Sequence, residues 1–544
     1  MSLGRTPLFR KLMLAVRQAR WLNENPDKTQ LFFEAREAYG VSRRDFVRII
    51  GAAGLAAGAG ALLPGKSLAQ GADASAGKAS GGLVAILGAG AAGLTAAYRL
   101  QAAGIPCEIF EASERTGGRM LTKYDFNKDG MFCEMGGELV DTDHEDLITL
   151  AGELGVEIQE LKGEDKGLDL YFFGGKHYTD EQLIPLFQPF ALKLAEDQKA
   201  IYDEQEEFIP EKAAKFDKMT LSEYLTETGR GVEKWVVDMI RVAYTIEYGR
   251  EPDEQSALNL LSYLEPDTAE GFKIFGSSDE SKRIKGGSSM LINALAKALE
   301  GKVKINYGFR LAKIAGTTAG LGLTFSTDKG TKTVKFGRVI SAIPFTMLRQ
   351  VEGVQAMPIS QEKKDSIAKL GYGANAKVML GFTERWWRNP AAGLPALSNG
   401  SIFTDLPLQC VWETSRGQKG ESGILTNFLG ANAAAQFTAE RFDKQKLELN
   451  RIFPGIKDKF DGKRVMMNWP EYKLTKGSYA CPLVGQYLTL LGAAATPELD
   501  GRLIFAGEHT SGDFAGFMNG AIESGNRAAK EIIEPQAAEL PKAA

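Results

Sequence analysis

Apolar residues in this chain fall into short continuous runs bounded by glycine, and between them lie stretches with apolar positions spaced three and four apart. The first pattern predicts buried strands and the second predicts helices. Leu83-Val84-Ala85-Ile86-Leu87 is the kind of run a parallel strand shows when both of its faces are covered. It opens into Gly88-Ala89-Gly90-Ala91-Ala92-Gly93, after which LTAAYRLQAAG has helical spacing up to Gly104, a natural helix end. A second apolar strand, Cys107–Phe110, terminates in Glu111. Further strands are predicted at Val339-Ile340-Ser341-Ala342-Ile343, at Leu503-Ile504-Phe505-Ala506, at 375–383 and at 400–412. Residues 186–245 read as mostly helical, and GFMNGAIESGNRAAKEI as an amphipathic helix beginning near Met518. Strands alternating with helices predict an α/β chain built on a parallel sheet.

The N-terminal pattern is different in kind. Residues 42–48 read SRRDFVR, the Gly/Ala-rich apolar stretch IIGAAGLAAGAGALLP follows, and Ser67-Leu68-Ala69 close it. Paired arginines, a mild apolar run and small residues before a cut site make a twin-arginine export signal. The run is shorter than the ~20 residues that span a bilayer and is broken by glycines. The competing reading is a buried Ala/Gly helix after a chance Arg pair. Export of an already folded chain implies the twin-arginine (Tat) machinery as a partner, a periplasmic location and a cofactor inserted beforehand. Residues 8–22, LFRKLMLAVRQARWL, have the spacing of a basic amphipathic helix suited to an anionic membrane, and a merely long leading region accounts for them equally well. Residues 1–69 are therefore read as extension and signal, and 70–82, QGADASAGKASGG, as a linker.

Composition narrows the classes. Of 544 residues, 44% are hydrophobic and 25% charged, the balance of a folded globular chain. Basic and acidic residues number 65 and 69, so no basic excess exists to neutralise phosphates, and a nucleic-acid binder is excluded. The 3 histidines (His144, His177, His509) and 4 cysteines (Cys107, Cys133, Cys410, Cys481) are scattered without ligand spacing, and no metal site is expected.

The strand–GxGxxG–helix–strand–acid order carries the first chemistry. Gly88, Gly90 and Gly93 let the backbone approach a pyrophosphate, the helix opened by Ala91 and Ala92 attracts its charge, and Glu111 takes ribose hydroxyls. The next stretch, Glu111-Ala112-Ser113-Glu114-Arg115-Thr116-Gly117-Gly118-Arg119-Met120, resembles the segment that wraps FAD in the flavin-containing amine oxidases, the monoamine, polyamine and L-amino-acid oxidases. Arg502-Leu503-Ile504-Phe505-Ala506-Gly507-Glu508 and the helix at Met518 resemble the other half of that site. Ile284–Met290 and Val339–Pro344 resemble further family segments, so the resemblance covers most of 83–535.

That resemblance implies a Rossmann-like FAD-binding domain from 83–155, 275–345 and 465–535, interleaved with an α+β substrate domain from 156–274 and 346–464, and a tail at 536–544. It further implies FAD contacts at Ala112, Arg115, Gly118, Arg119, Trp469, Gly507, Glu508 and Met518. A catalytic lysine falls at Lys377, and an aromatic pair flanking the amine falls at Tyr479 and Phe517. Monoamine oxidases carry a cysteine that attaches FAD where this chain has Ser478, and Cys481 lies three positions off, so non-covalent FAD is expected.

The implied activity is oxidation of an amine C–N bond, giving an imine that hydrolyses, with oxygen reduced to hydrogen peroxide. Rival readings are a FAD desaturase or dehydrogenase using another acceptor, an oxidase of neutral L-amino acids, and a non-catalytic flavin carrier. Glu138 and Asp141 fall where snake-venom-type L-amino-acid oxidases carry an arginine, which favours a cationic substrate: a di- or polyamine, or a basic L-amino acid. Asp141 is equally well read as support for a helix capped by Thr142, because Thr142-Asp143-His144-Glu145 has capping-box spacing. The sequence leaves the oligomeric state open, a homo-oligomer included.

Overall fold

Val84–Leu87 lies at the centre of a five-stranded parallel sheet, in the order Lys304–Asn306, Cys107–Phe110, Val84–Leu87, Arg338–Ser341, Leu503–Phe505. Both faces are covered, which is why the run is continuously apolar rather than alternating. Val84 and Ile86 pack with Leu94 and Ala97 of the helix Ala91–Ala102, and with Leu291, Leu295 and Ile522 of two further helices. Ala85 and Leu87 join the opposite core, where Phe110 stacks on Phe325 at 4.5 Å. Phe325 comes from an antiparallel sheet of Arg310–Thr317, Gly320–Thr327 and Gly330–Phe336. The helix Ala91–Ala102 stops as its glycine predicts. Gly104 has φ +72°, and the Gly104 and Ile105 amides donate back to Gln101 and Leu100.

This computed structural model describes residues 82–161, 167–202, 209–269, 271–317, 319–438 and 440–534. The export signal, the stretch 8–22, the linker up to residue 81 and the tail 536–544 lie outside the described residues. Among the described residues, no helix is long and apolar enough to cross a membrane.

The second sheet has seven strands, ordered Phe460–Asn468, Asn375–Phe382, Gly423–Gly430, Cys410–Glu413, Ser398–Thr404, Leu168–Phe173, Lys176–Tyr178. Helices Asp180–Ala200, Pro210–Asp217, Leu221–Thr228 and Lys234–Tyr248 occupy the region expected to be helical. Two expectations need correction. The stretch 400–412 is two paired strands and not one, because Pro407 has no N–H for a ladder and Gln409 turns at φ +57°. The strand Phe460–Asn468 runs across the boundary placed at 464/465, since its ladder to Asn375–Phe382 holds it in the seven-stranded sheet.

Candidate active site

The site begins at the glycine turn. Gly88 has φ +102°, which a side chain rarely adopts. A Cβ on Gly93 would meet the Gly88 carbonyl oxygen at 2.0 Å, so the third glycine serves the close approach of helix to strand. Gly90 is the opposite case: a Cβ there would meet nothing within 4 Å, and the residue lines a large cavity. The helix that follows has neither a side-chain cap nor an acidic residue in its first turn. Its first amides are therefore available to an anion.

Glu111 accepts the Ala89 amide at 2.7 Å, the Ser113 amide at 2.8 Å and the Ser113 hydroxyl at 2.7 Å. Two carboxylate oxygens offer about four acceptor positions, so capacity for a ribose hydroxyl remains. Arg115 folds back on its own loop, donating to the Thr116 carbonyl at 3.0 Å and the Gly118 carbonyl at 2.7 Å. Arg119 pairs with the buried Glu508 at 2.8 Å and donates to the Ser478 carbonyl, joining segments far apart in the chain. Glu508 also accepts the Gly516 amide at 2.9 Å. The cavity runs from Glu111, Ala112 and Arg115 past Gly88, Gly90, Ala91, Ala92, Gly118 and Arg119 to Trp469, Gly507, Glu508, Phe517 and Met518. It thus joins a ribose acceptor, an uncapped helix start and a second one at Met518, whose helix likewise lacks a cap and a first-turn acid. This donor set fits FAD, with the second helix start suited to the negative charge of a reduced flavin.

The other end of the cavity holds the reaction groups. Lys377 and Phe428 face each other across the ladder between Asn375–Phe382 and Gly423–Gly430. All eight residues of the Lys377 strand are buried, so its ammonium needs internal partners. It donates to Glu138 at 2.8 Å and to the Gly136 carbonyl at 2.8 Å, and lies 5.1 Å from the Trp412 ring. The second Glu138 oxygen accepts the Thr414 hydroxyl at 2.9 Å. Burial pushes the Glu138 carboxyl up, but the Lys377 charge and hydrogen bonds from Lys377, Thr414 and Trp412 outweigh it and leave it below its ordinary value. The Tyr479 hydroxyl donates to the Glu247 carbonyl at 2.6 Å, and Phe517 meets His144 edge-on at 4.9 Å. Ser478 donates to Asn375 at 2.6 Å, while Cys481 is buried with its thiol pushed up to about 12 by that burial.

Of the residues expected from the sequence, the cavity lining omits Gly93 and Asp141. Asp141 is buried behind the lining, accepting the Ser278 hydroxyl at 2.8 Å and the Glu280 amide at 2.9 Å, with His144 at 3.3 Å. The capping box also needs correction: the helix Glu145–Glu153 starts from His144, because the Thr142 hydroxyl is drawn to Asp279 instead. Sequence reading missed Trp412, Phe428, Asn375, Glu247 and Glu280, all of which line the cavity. Strand alternation puts Trp412 and Phe428 on one face, but only the pairing of distant strands brings them to Lys377.

Comparison with known proteins agrees with this geometry. A flavin-containing amine oxidase of Oncorhynchus mykiss is 24% identical over 490 residues, covering 84% of this chain and 90% of the relative. An L-amino-acid oxidase of Demansia vestigiata is 26% identical over 474 residues, covering 82% and 86%. Among solved structures, cyclohexylamine oxidase of Brevibacterium oxydans superposes with a TM-score of 0.70 at 21% identity, covering 83% of this chain and 98% of its own. A putrescine oxidase bound to putrescine gives 0.67 at 22%, with the same coverage. The profile of the flavin containing amine oxidoreductases matches residues 91–533, and the chain belongs to that family of FAD-dependent oxidoreductases.

Proposed function

We propose that this protein oxidises the C–N bond of a small amine carrying a second positive charge, a di- or polyamine, with oxygen as the electron acceptor. The observation that carries this reading is the charge distribution of the cavity. Its lining includes Trp412, Phe428, Tyr479 and Phe517 together with the acidic residues Glu138, Glu247 and Glu280. The arginines lining it, Arg115, Arg119 and Arg310, belong to the wrap loop and to the strand that follows Phe309, whose amide bonds Glu111. Among the described lining residues, Lys377 is already paired with Glu138, and Arg119, which reaches the Ser478 carbonyl, is already paired with Glu508. Both cations are engaged by carboxylates of the protein, which favours an amine over a basic amino acid.

The aromatic rings exclude water from the reacting amine and favour its neutral form. Bound FAD supplies the hydride acceptor, which oxygen restores with release of hydrogen peroxide. The resulting imine takes up water and gives a carbonyl compound plus ammonia or a smaller amine. Ser478 in place of a cysteine, and the buried Cys481 thiol, support non-covalent FAD; flavin should then appear free in solution after urea denaturation. The paired Arg43-Arg44 signal supports periplasmic action after export.

The test compares kcat/KM for a diamine, a monoamine of equal chain length and a basic amino acid. The diamine should lead the monoamine by about tenfold, roughly 1.4 kcal/mol of recognition by the acidic residues Glu247 and Glu280. Preference for the amino acid, or equal rates on the two amines, overturns the substrate class.

A further inference from the structure

We propose that Glu138 is a positioning residue and not a substrate receptor: it holds Lys377 as an ammonium with one N–H left for a small acceptor in the cavity. The inference deepens the amine-oxidase reading and rests on it for its kinetic arm.

The Lys377 ammonium is held by two acceptors, with the Trp412 ring 5.1 Å away. An ammonium has three donors. Glu138 and the Gly136 carbonyl take two of them at 2.8 Å each, and Lys377 lines the cavity. Glu138 in turn has both oxygens engaged, one by Lys377 and the other by the Thr414 hydroxyl at 2.9 Å. Thr414 is fixed from behind, since its hydroxyl meets that of Thr426 at 2.6 Å and its carbonyl accepts from Arg283 at 3.0 Å. Lys377 and Glu138 side chains are each 6% exposed, so the pair is shielded from solvent and from salt. A carboxylate neutralised by a lysine at this distance attracts a distant substrate cation weakly. It is well placed to keep the lysine charged and pointed. Removing either partner leaves the other charge buried and uncompensated, and such a group neutralises itself by gaining or losing a proton.

Other titratable groups surround the pair, and the experiment has to separate them. They are Cys133 and Glu134, whose short strand pairs with Thr122–Lys123, Arg283 behind Thr414, and Glu247 and Glu280 along the cavity. The absorbance of bound FAD is therefore titrated from about pH 6 to 9 in wild type, Glu138→Gln, Lys377→Met and the double variant. Each single variant should show an ionisation that wild type and the double variant both lack, because the orphaned partner titrates only while it is present. Glu138→Asp keeps the charge and should restore the wild-type profile. In anaerobic mixing with a diamine, Glu138→Gln should slow flavin reduction about tenfold, and Glu138→Asp should recover most of it.

If Glu138→Gln does not yield holo-protein, Lys377→Met against the double variant reads the same coupling from the other side. Profiles identical in all four proteins overturn the proposal. So does a Glu138→Gln variant that raises KM for the diamine tenfold with an unchanged pH profile, which makes Glu138 a substrate receptor. If the ionisations behave as expected but no amine reduces the flavin, the pairing stands and the amine-oxidase reading falls.

Discussion

Two alanine substitutions three residues apart should fail in opposite ways. At Gly93, a Cβ falls 2.0 Å from the Gly88 carbonyl oxygen and 3.1 Å from its carbon, both backbone atoms that cannot swing aside. Contacts below 3.0 Å are essentially never seen, so the helix Ala91–Ala102 must slide about 1 Å off the central strand. Overpacking of this kind costs ~1–3 kcal/mol, and the better helix propensity of alanine returns up to ~1. A net loss of about 1–2 kcal/mol should lower the melting temperature of FAD-stripped protein by a few degrees.

At Gly90 the added methyl meets no protein atom within 4 Å, and φ is −75°, which alanine adopts freely. Gly90→Ala should therefore melt like wild type without FAD, yet bind FAD at least about tenfold more weakly, because the methyl stands where the cofactor passes. Thermal melts of the stripped proteins and FAD titrations followed by flavin fluorescence measure both quantities. If Gly93→Ala is as stable as wild type, or Gly90→Ala binds FAD normally, the dinucleotide assignment of this turn is wrong.

Other predictions follow from the same physics. Glu134 is buried and bonded by Ser288 and Thr122, and burial raises its carboxyl from 4.5 to about 7. The folded state then binds this proton more tightly than the unfolded one, so the contribution of Glu134 to stability is greatest at low pH and falls by about 3 kcal/mol as pH rises from ~4.5 through ~7. Glu134→Gln should flatten the melting temperature between about pH 5 and 8, and an unchanged slope refutes the assignment. Lys377→Met should retain FAD after gel filtration but slow flavin reduction or reoxidation; half-reactions equal to wild type would leave Lys377 a structural strand residue. Replacing Arg43 and Arg44 with Lys should leave holo-protein in the cytoplasm on cell fractionation, and normal periplasmic arrival would sink the export reading.

What the sequence made legible was local. The run Val84–Leu87, the glycines and Glu111 lie within one strand–helix–strand unit, where spacing alone brings the groups together. The Arg119–Glu508 pair joins two such recognisable segments. What stayed hidden depends on pairing between distant strands. Lys377 reads as a lone lysine in an apolar strand, and nothing nearby shows that Glu138 neutralises it or that Phe428 stands opposite. The partners of Asp141 were hidden for the same reason: Ser278 and Glu280 come from far along the chain and engage both of its oxygens. The Thr142 cap was lost to Asp279, a competitor invisible at capping-box range.

The cavity should hold FAD and deliver an amine to it, which is read by anaerobic mixing of the purified FAD-bound protein with a panel of mono-, di- and polyamines and amino acids. The flavin absorbance near 450 nm should bleach with amines, fastest with a diamine, and oxygen should restore it with about one peroxide formed per flavin. Bound FAD that no amine bleaches would mean that the protein is not an amine oxidase.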